Sequence, residues 1–300
     1  MMPLARDTEQ STQRHVASDV PFVCALAVVG GLYVLLILAM LLADVAFLTP
    51  GHGSADIIRH PLNALSGTLA NALAPLRTPE IRYALKLSLI SCTVTAILSV
   101  YVAVPMGYLL SRFHFPLKGL MDAVLDIPIV LPPLVIGLSL LILFQTPAGR
   151  FVQRFIPVTY CVPSVILAQF AVACAFAVRT MRVTFDQLNP RTEQVALTLG
   201  CNRFQAFWRI ALPEARRGVL TAGTLAWARA LGEFGPILVF SGATRMRTEV
   251  LPTSVFLELS VGNIEAAVAV SLLMVIAAVV VLLIVRFAGS ETSFGRAVRP

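Results

Sequence analysis

The sequence EQVALTLGCNRFQAFWRIALP, residues 193–213, is polar and arginine-bearing, yet it lies between two long apolar runs. A loop that only reconnects two helices needs just a few residues. Gly200 predicts a break between two short helices, because glycine readily adopts the left-handed conformation that ends a helix. The segment is too polar to enter lipid, and Phe204, Phe207 and Trp208 follow the break. We therefore expect it to contact another protein at a membrane surface.

The composition predicts the broad class. Of the 300 residues, 57% are hydrophobic and 13% are charged, and the mean hydropathy is +0.83. In a soluble protein roughly a quarter of the residues are charged. A chain this apolar has too few charged residues to cover a soluble surface, so we expect an integral membrane protein.

Six apolar segments are long enough to cross a bilayer, which takes about 20 residues of α-helix each. The residue-by-residue alternation of a membrane β-barrel does not occur, so the predicted fold class is all-α and polytopic. The predicted spans are residues 22–43, 84–111, 123–144, 162–178, 219–241 and 264–287. The predicted domain organisation is a tail (1–20), a first span with an external loop (21–83), a helical core (84–290) and a second tail (291–300).

The distribution of basic residues predicts the orientation, because cytoplasmic loops carry an excess of Lys and Arg. The loop between the fourth and fifth spans is the richest, with Arg179, Arg182, Arg191, Arg203, Arg209, Arg216 and Arg217. This loop and both tails are therefore predicted to be cytoplasmic, in a plasma membrane of the bacterial or archaeal (inner-membrane) type. The same bias accounts for the net charge of +7, so no nucleic-acid partner is expected.

No pattern typical of an enzyme or a metal site occurs in the sequence. It contains neither a P-loop nor an HExxH motif. Its five cysteines lack the CxxC or Cys/His spacing of a metal site. We therefore expect no catalytic residue, cofactor or metal, and a function in transport, sensing or scaffolding.

Three prolines, Pro128, Pro132 and Pro133, interrupt the third predicted span. Each removes a backbone donor and clashes with the preceding helical turn. Unpaired carbonyls at membrane depth are tolerated only where protein or a water-filled path covers them. We expect this span to be bent or broken near its start and to line a pathway. A kink that only improves packing is the alternative.

The fifth predicted span contains two charged residues, Arg229 and Glu233. They are four residues apart, so they lie on one helix face and can pair. A charge at a helix centre costs roughly 2.5–3.5 kcal/mol on insertion scales. In the functional interpretation, Arg229 supplies positive potential to an anion path and Glu233 tunes it; in the structural one, the pair fixes helix packing. We expect Gly232 and Gly235 to permit close helix approach.

Several ungapped motifs within residues 84–287 resemble those of ABC-importer permease subunits. Gly200 followed by Ile210, Leu212 and Pro213 is similar to the EAA loop of that family. Gln194 departs from the pattern, because the family usually has Glu there. The runs YLLSRF (108–113), LDIPIVLPPLVIG (125–137) and RALGEFG (229–235) resemble parts of the permeases for molybdate, tungstate and sulfate.

The resemblance implies a fold like that of type I ABC importer permeases and a segment, residues 191–213, that couples to an ATPase. The coupling residues it marks are Glu193, Gln194, Ala196, Gly200, Arg203, Ile210, Leu212 and Pro213. It also implies a non-catalytic subunit that forms a homodimer and works with two cytosolic ATP-binding subunits and an external substrate-binding protein. The implied cargo is a small oxyanion, with molybdate or tungstate ahead of sulfate.

Alternative interpretations remain open from the residues alone. One alternative is that the chain is a secondary transporter or channel that needs no ATPase. The others are a membrane scaffold or sensor, and an ABC permease for another small anion. For the segment 191–213, the alternative to a contact with another protein is an amphipathic helix that lies on the lipid headgroups.

Pro213 is predicted to end the second short helix, since proline cannot continue a helix without losing a hydrogen bond. A short amphipathic or re-entrant piece is predicted after Pro252, in the external loop 242–263.

Overall fold

The computed structural model describes residues 20–48 and 73–294, with side chains in residues 23–48 and 73–283. The predicted tails beyond these ranges, and residues 49–72 of the predicted first external loop, lie outside the described residues. The chain divides into two compact units, residues 1–46 and 47–300. The described part of the first unit belongs to one apolar helix, α1 (Val20–Phe47), which is long and apolar enough to cross a membrane.

The described residues of the second unit are helices joined by short connections. The long helices are α2 (Pro79–Arg112), α6 (Val162–Gln187), α10 (Arg216–Leu231) and α13 (Ile264–Phe294). The shorter ones are α3 (Lys118–Val130), α4 (Pro133–Gln145), α5 (Pro147–Phe155), α7 (Pro190–Thr198), α8 (Arg203–Ala206), α9 (Leu212–Glu214), α11 (Gly235–Phe240) and α12 (Leu251–Val261). A 3₁₀ turn (Ala74–Arg77) precedes α2, and a π-helical turn (Phe207–Ala211) joins α8 to α9.

The six predicted apolar segments correspond, in the described residues, to four continuous helices and two interrupted ones. The continuous helices α1, α2, α6 and α13 are long and apolar enough to span a membrane. The third segment is the pair α3 and α4, bent by 112° at Leu131 and Pro132. The fifth is the pair α10 and α11, interrupted at residues 232–234. The break predicted from the prolines is thus confirmed, whereas the break in the fifth segment was not predicted.

Small side chains allow α2, α6 and α10 to pack closely. Their buried contact residues include Ala103, Ala177 and Ala222. A Cβ added to Gly107 of α2 would lie 2.7 Å from the Cβ of Met181 in α6, so only glycine fits there. One buried polar side chain connects all three helices: Gln169 of α6 accepts a hydrogen bond from Thr95 Oγ1 (3.2 Å) and donates one to the Ala230 carbonyl (3.2 Å). Small residues and interhelical hydrogen bonds are the usual basis of helix packing in membranes.

The two interrupted segments pack directly on each other. A Cβ added to Gly137 of α4 would lie 2.7 Å from the Cα and 2.9 Å from the carbonyl oxygen of Pro236 in α11. A Cβ on Gly235 would lie 3.1 Å from the amide nitrogen of Leu134 and 3.3 Å from the Cβ of Pro133. Close approach is therefore confirmed for Gly235. For Gly232 the expectation was wrong, because a Cβ there would meet no atom within 4 Å.

We expect Gly137→Ala to lower the free energy of unfolding by about 1–3 kcal/mol, the usual cost of overpacking. The added methyl group overlaps backbone atoms of Pro236, which cannot rotate away as a side chain can. The thermal unfolding midpoint in detergent measures this effect. Gly232→Ala is the matched control, because its methyl group enters open space. Equal midpoints for the two variants would contradict the packing described here.

Candidate functional site

The segment 191–213, predicted to be two short helices that meet at Gly200, is called the elbow below. Helix α7 ends in a Schellman motif, in which Gly200 has φ +92°, its amide donates to the Leu197 carbonyl (3.1 Å) and the Cys201 amide donates to the Ala196 carbonyl (3.0 Å). Helix α8 then begins with a capping box between Asn202 and Gln205. The prediction of two short helices that meet at Gly200 is confirmed.

The elbow exposes several large apolar side chains. Its exposed large side chains are Val195 (56%), Leu199 (80%), Phe204 (69%) and Trp208 (53%). The rings of Phe204 and Trp208 pack edge to face, with centroids 6.1 Å apart. Of the predicted coupling residues, Gln194, Gly200, Arg203 and Pro213 are exposed, and Ile210 and Leu212 are half-buried. Exposed aromatic side chains rimmed by polar residues are typical of a protein–protein contact surface.

Two of the predicted coupling residues, Glu193 and Ala196, face inward. Glu193 Oε1 pairs with Arg112 Nε at 2.9 Å, and Glu193 Oε2 accepts a hydrogen bond from the Tyr108 hydroxyl at 2.7 Å. Glu193 thus connects α7 to the last turns of α2 and is buried rather than exposed at the surface. Phe207 also differs from the expectation, because its ring packs 4.7 Å from that of Tyr108 instead of facing a partner.

Pro213 does not end the helix as predicted. The backbone stays helical from Arg203 to Leu231 apart from one turn residue, Ala215. The preceding residues form a π turn, in which the Leu212 amide donates to the Phe207 carbonyl five residues back. This wider turn gives the proline ring room beside the preceding carbonyls, which an α-helical turn does not provide.

Arg229 and Glu233 form the predicted ion pair. Arg229 Nη1 lies 2.5 Å from Glu233 Oε2, and their side chains are 28% and 1% exposed. Glu233 is located just beyond the end of α10, within the break, so the pair lies beside the junction between the two interrupted segments. The guanidinium carbon of Arg229 also lies 5.7 Å from the centroid of the Phe176 ring.

The three prolines lie around the break in the third segment. Pro128 is inside α3 and half-buried, Pro132 is in extended conformation at the break, and Pro133 begins α4. Pro132 and Pro133 are exposed in the single chain. Of the predicted path residues, the structure brings Pro133 next to Gly235, two residues after Glu233.

Two ion pairs hold α3 to α6. Arg179 Nη1 lies 2.6 Å from Asp126 Oδ2, and Arg182 Nη1 lies 2.5 Å from Asp122 Oδ1. From the sequence, these arginines predicted only the orientation of the chain. The i,i+4 spacing of the two aspartates on α3 is the signal that was missed, because it places them on one helix face.

The segment 242–263, predicted to be an external loop, contains the predicted helix, α12, and a buried carboxylate before it. Glu249 is 1% exposed, and its Oε1 accepts a hydrogen bond from Ser254 Oγ (2.8 Å). Burial raises the pKa of Glu249 above its ordinary value, Glu258 and Glu80 add to the rise, and Ser254 and Arg245 oppose it. The folded state therefore favours the protonated form of this group more than the unfolded state does.

We expect Glu249→Gln to stabilise the protein increasingly as pH rises through the window between the ordinary carboxyl pKa and the raised one. A raised folded-state pKa means that the folded protein holds the proton more tightly, so its stability is lost as pH rises through that window. The measurement is the difference between variant and wild-type unfolding midpoints as a function of pH. The exposed Glu265, changed to Gln, is the control. A pH-independent difference for Glu249→Gln would contradict the expectation.

Four apolar helices long enough to cross a membrane, two interrupted apolar segments and a polar elbow, all among the described residues, indicate an integral membrane protein. Its family follows from residues 103–290, which match the family described as "Binding-protein-dependent transport system inner membrane component". The chain belongs to this family. It is therefore a permease component of a transport system.

Similar proteins are named as permease proteins of sulfate, molybdenum and molybdate/tungstate transport systems. The sulfate transport system permease protein CysT of Salmonella typhimurium is 33% identical over 223 residues, which cover 73% of this chain and 80% of the relative. The molybdenum transport system permease protein ModB of Mycobacterium bovis is 35% identical over 225 residues, covering 74% and 84%. The molybdate/tungstate transport system permease protein WtpB of Pyrococcus abyssi is 34% identical over 161 residues, covering 54% and 61%.

Solved structures have the same fold at low sequence identity. A bacterial ABC transporter involved in the import of the acidic polysaccharide alginate matches with a TM-score of 0.65 and 14% identity, covering 91% of this chain and 95% of that one. The MetNI methionine ABC transporter matches with a TM-score of 0.54 and 17% identity, covering 74% and 100%. The fold is that of ABC transporter membrane subunits.

Proposed function

We propose that this chain is the membrane subunit of an ATP-driven importer, which docks cytosolic ATPases through its 191–213 elbow and passes a small oxyanion. The observation that carries the proposal is the elbow itself. Its backbone is fixed by a Schellman motif and a capping box, and it presents Leu199, Phe204 and Trp208 outward. A polar segment that exposes such side chains needs a partner to bury them.

The ATPase and the second membrane subunit come from separate chains in this proposal. One chain supplies one elbow, whereas a pair of ATPase subunits requires two. A homodimer related by a two-fold axis provides both with one gene product. An extracytoplasmic binding protein delivers the substrate to the outer face, in a plasma membrane with the elbow in the cytoplasm.

The proposed cargo is a tetrahedral oxyanion, with molybdate or tungstate ahead of sulfate. The names of the relatives CysT, ModB and WtpB support this class of anion. In the proposed path, Arg229 contributes positive potential, Glu233 holds its position, and the break at Pro128, Pro132 and Pro133 lines the route. Arg229 keeps part of its surface accessible, as a group that meets an anion must.

Reconstitution tests the proposal directly. The chain is placed in liposomes together with a co-expressed ATPase and binding protein from the same genome, and uptake of radioactive molybdate, tungstate and sulfate is measured. We expect uptake that requires both partners and ATP. Uptake by the chain alone would favour a secondary transporter or channel. Failure of every tested ATPase to co-purify with the wild-type chain would favour a scaffold or sensor.

A further inference from the structure

Two parts of the elbow, α7 and the π turn after α8, contact one side chain of a different helix, Tyr108 in the last turns of α2. From α7, Glu193 Oε2 accepts a hydrogen bond from the Tyr108 hydroxyl (2.7 Å). In the π turn after α8, the centroid of the Phe207 ring lies 4.7 Å from the centroid of the Tyr108 ring. The Phe185 ring of α6 packs edge to face on the same ring at 5.4 Å. Tyr108 thus joins the end of α2 to the elbow on both sides of Gly200.

The residues that follow Tyr108 strengthen the same connection. Arg112, one turn later, pairs with Glu193 and donates a hydrogen bond to the Leu188 carbonyl (3.1 Å), which lies between α6 and α7. The side chains of Arg112 and Glu193 are 13% and 10% exposed. Hydrogen bonds between charged groups, as in this pair, are stronger than those between neutral groups. The guanidinium carbon of Arg203 in α8 lies 5.4 Å from the centroid of the Phe113 ring, directly after α2.

The other end of α2 is bonded to the external loop. The Tyr83 hydroxyl donates to the Arg247 carbonyl (3.1 Å), and Ser88 Oγ accepts a hydrogen bond from the Leu251 amide (2.8 Å). The helix between these ends is continuous over 34 residues, which corresponds to about 50 Å. Pro105 lies within it and removes a single backbone donor. One helix therefore contacts the elbow at one end and the opposite loop at the other.

We propose that Tyr108 is a positioning residue that locks the elbow to α2, so that a displacement of the elbow by the ATPase moves α2 and reaches the external loop at Arg247 and Leu251. This inference rests on the proposed function, since it requires an ATPase that moves the elbow. Tyr108 is turned toward Glu193, Phe207 and Phe185, so it acts in coupling and not in ATPase docking. Packed side chains with two discrete arrangements carry such displacements between distant sites.

The test uses the complete importer in liposomes and measures ATPase binding, ATP hydrolysis and anion uptake together. In Tyr108→Leu, we expect ATPase binding and hydrolysis to persist while uptake per ATP hydrolysed falls about tenfold, a typical size for coupling between sites. Tyr108→Phe keeps the ring and loses one hydrogen bond, so uptake per ATP should fall by about fivefold or less. Tyr101→Leu is the matched control, because Tyr101 is on the same helix with its side chain 79% exposed.

A spin label at the exposed position 247 gives a second readout. In the wild type and in Tyr101→Leu, its mobility should change between the nucleotide-free and ATP-bound states. In Tyr108→Leu that change should be lost. A purely structural role for Tyr108 predicts instead that hydrolysis and uptake fall in proportion to the amount of folded protein. Unchanged uptake per ATP in Tyr108→Leu would overturn the inference.

If Tyr108→Leu does not fold, the double variant Tyr108→Phe/Glu193→Gln takes its place, because both changes nearly preserve shape. Reduced uptake per ATP in the double variant supports the inference, and normal uptake per ATP overturns it. If the wild-type chain binds no ATPase, the proposed function itself fails, and the inference fails with it. If the wild type transports and only the Tyr108 result is negative, the proposed function stands.

Discussion

In the Gly200→Val variant, we expect the affinity for the ATPase to fall about tenfold to a hundredfold, with transport lost accordingly. Gly200 has φ +92°, which a β-branched residue reaches only at a cost of order 1–3 kcal/mol. The strain is relieved if the Schellman motif opens, and the angle between α7 and α8 then changes. The positions of Val195 and Leu199, before Gly200, would then change relative to those of Phe204 and Trp208, after it. Co-purification and titration of the ATPase measure the change.

The structure supplies a matched control for this experiment. Gly262 has φ +83° at the end of α12, and a Cβ at either glycine would meet no atom within 4 Å. Gly262→Val introduces the same kind of backbone strain at a different site, so ATPase affinity should be unchanged. Gly200→Asp should have a smaller effect than Gly200→Val, because aspartate tolerates the left-handed region better. Wild-type ATPase affinity in Gly200→Val would contradict the assignment of the elbow as the docking element.

The second large effect is expected at the buried ion pair. We expect Arg229→Ala to destabilise the protein by about 3–5 kcal/mol, because it leaves the carboxylate of Glu233, which is 1% exposed, without its partner. The double variant Arg229→Ala/Glu233→Gln should recover most of this loss, since it removes the buried charge. Thermal unfolding in detergent measures both. Arg179→Ala is the control, because the side chains of its pair with Asp126 are 63% and 41% exposed and exposed pairs contribute about 0–1 kcal/mol.

The same variants separate the two interpretations of Arg229. If Arg229 contributes potential to an anion path, the double variant recovers stability while oxyanion uptake stays low. If the pair only fixes helix packing, uptake returns together with stability. A destabilisation by Arg229→Ala no larger than that of Arg179→Ala would show that Glu233 is not held as a buried charge, and would remove the basis for either interpretation.

Features specified by neighbouring residues were predictable from the sequence. Gly200 between two helix-forming stretches predicted the elbow, and Pro128, Pro132 and Pro133 predicted the break in the third segment. The spacing of Arg229 and Glu233 predicted their pairing. In each case the signal lies within a few residues and acts through backbone geometry or helix periodicity.

Features that depend on distant residues were not predictable in the same way. Tyr108 and Glu193 are 85 residues apart in sequence, and nothing local to Glu193 indicates that it faces α2. The contact of Gly137 with Pro236 likewise joins segments that only the folded structure brings together. Pro213 was misinterpreted because the rule for proline assumes an α-helical turn, whereas the turn before it is π-helical. The exposure of a side chain and the type of helical turn are set by tertiary packing.

The contact between Gly137 and Pro236 has a consequence for protein engineering. Because no atom fits between them, the surfaces of α4 and α11 must match each other in shape. Residues 118–145 and 232–240 should therefore be exchanged together when a chimaera is made from two related permeases. A chimaera that inherits one of these segments from a different parent must inherit the other from that parent as well, even though some ninety residues of sequence separate them.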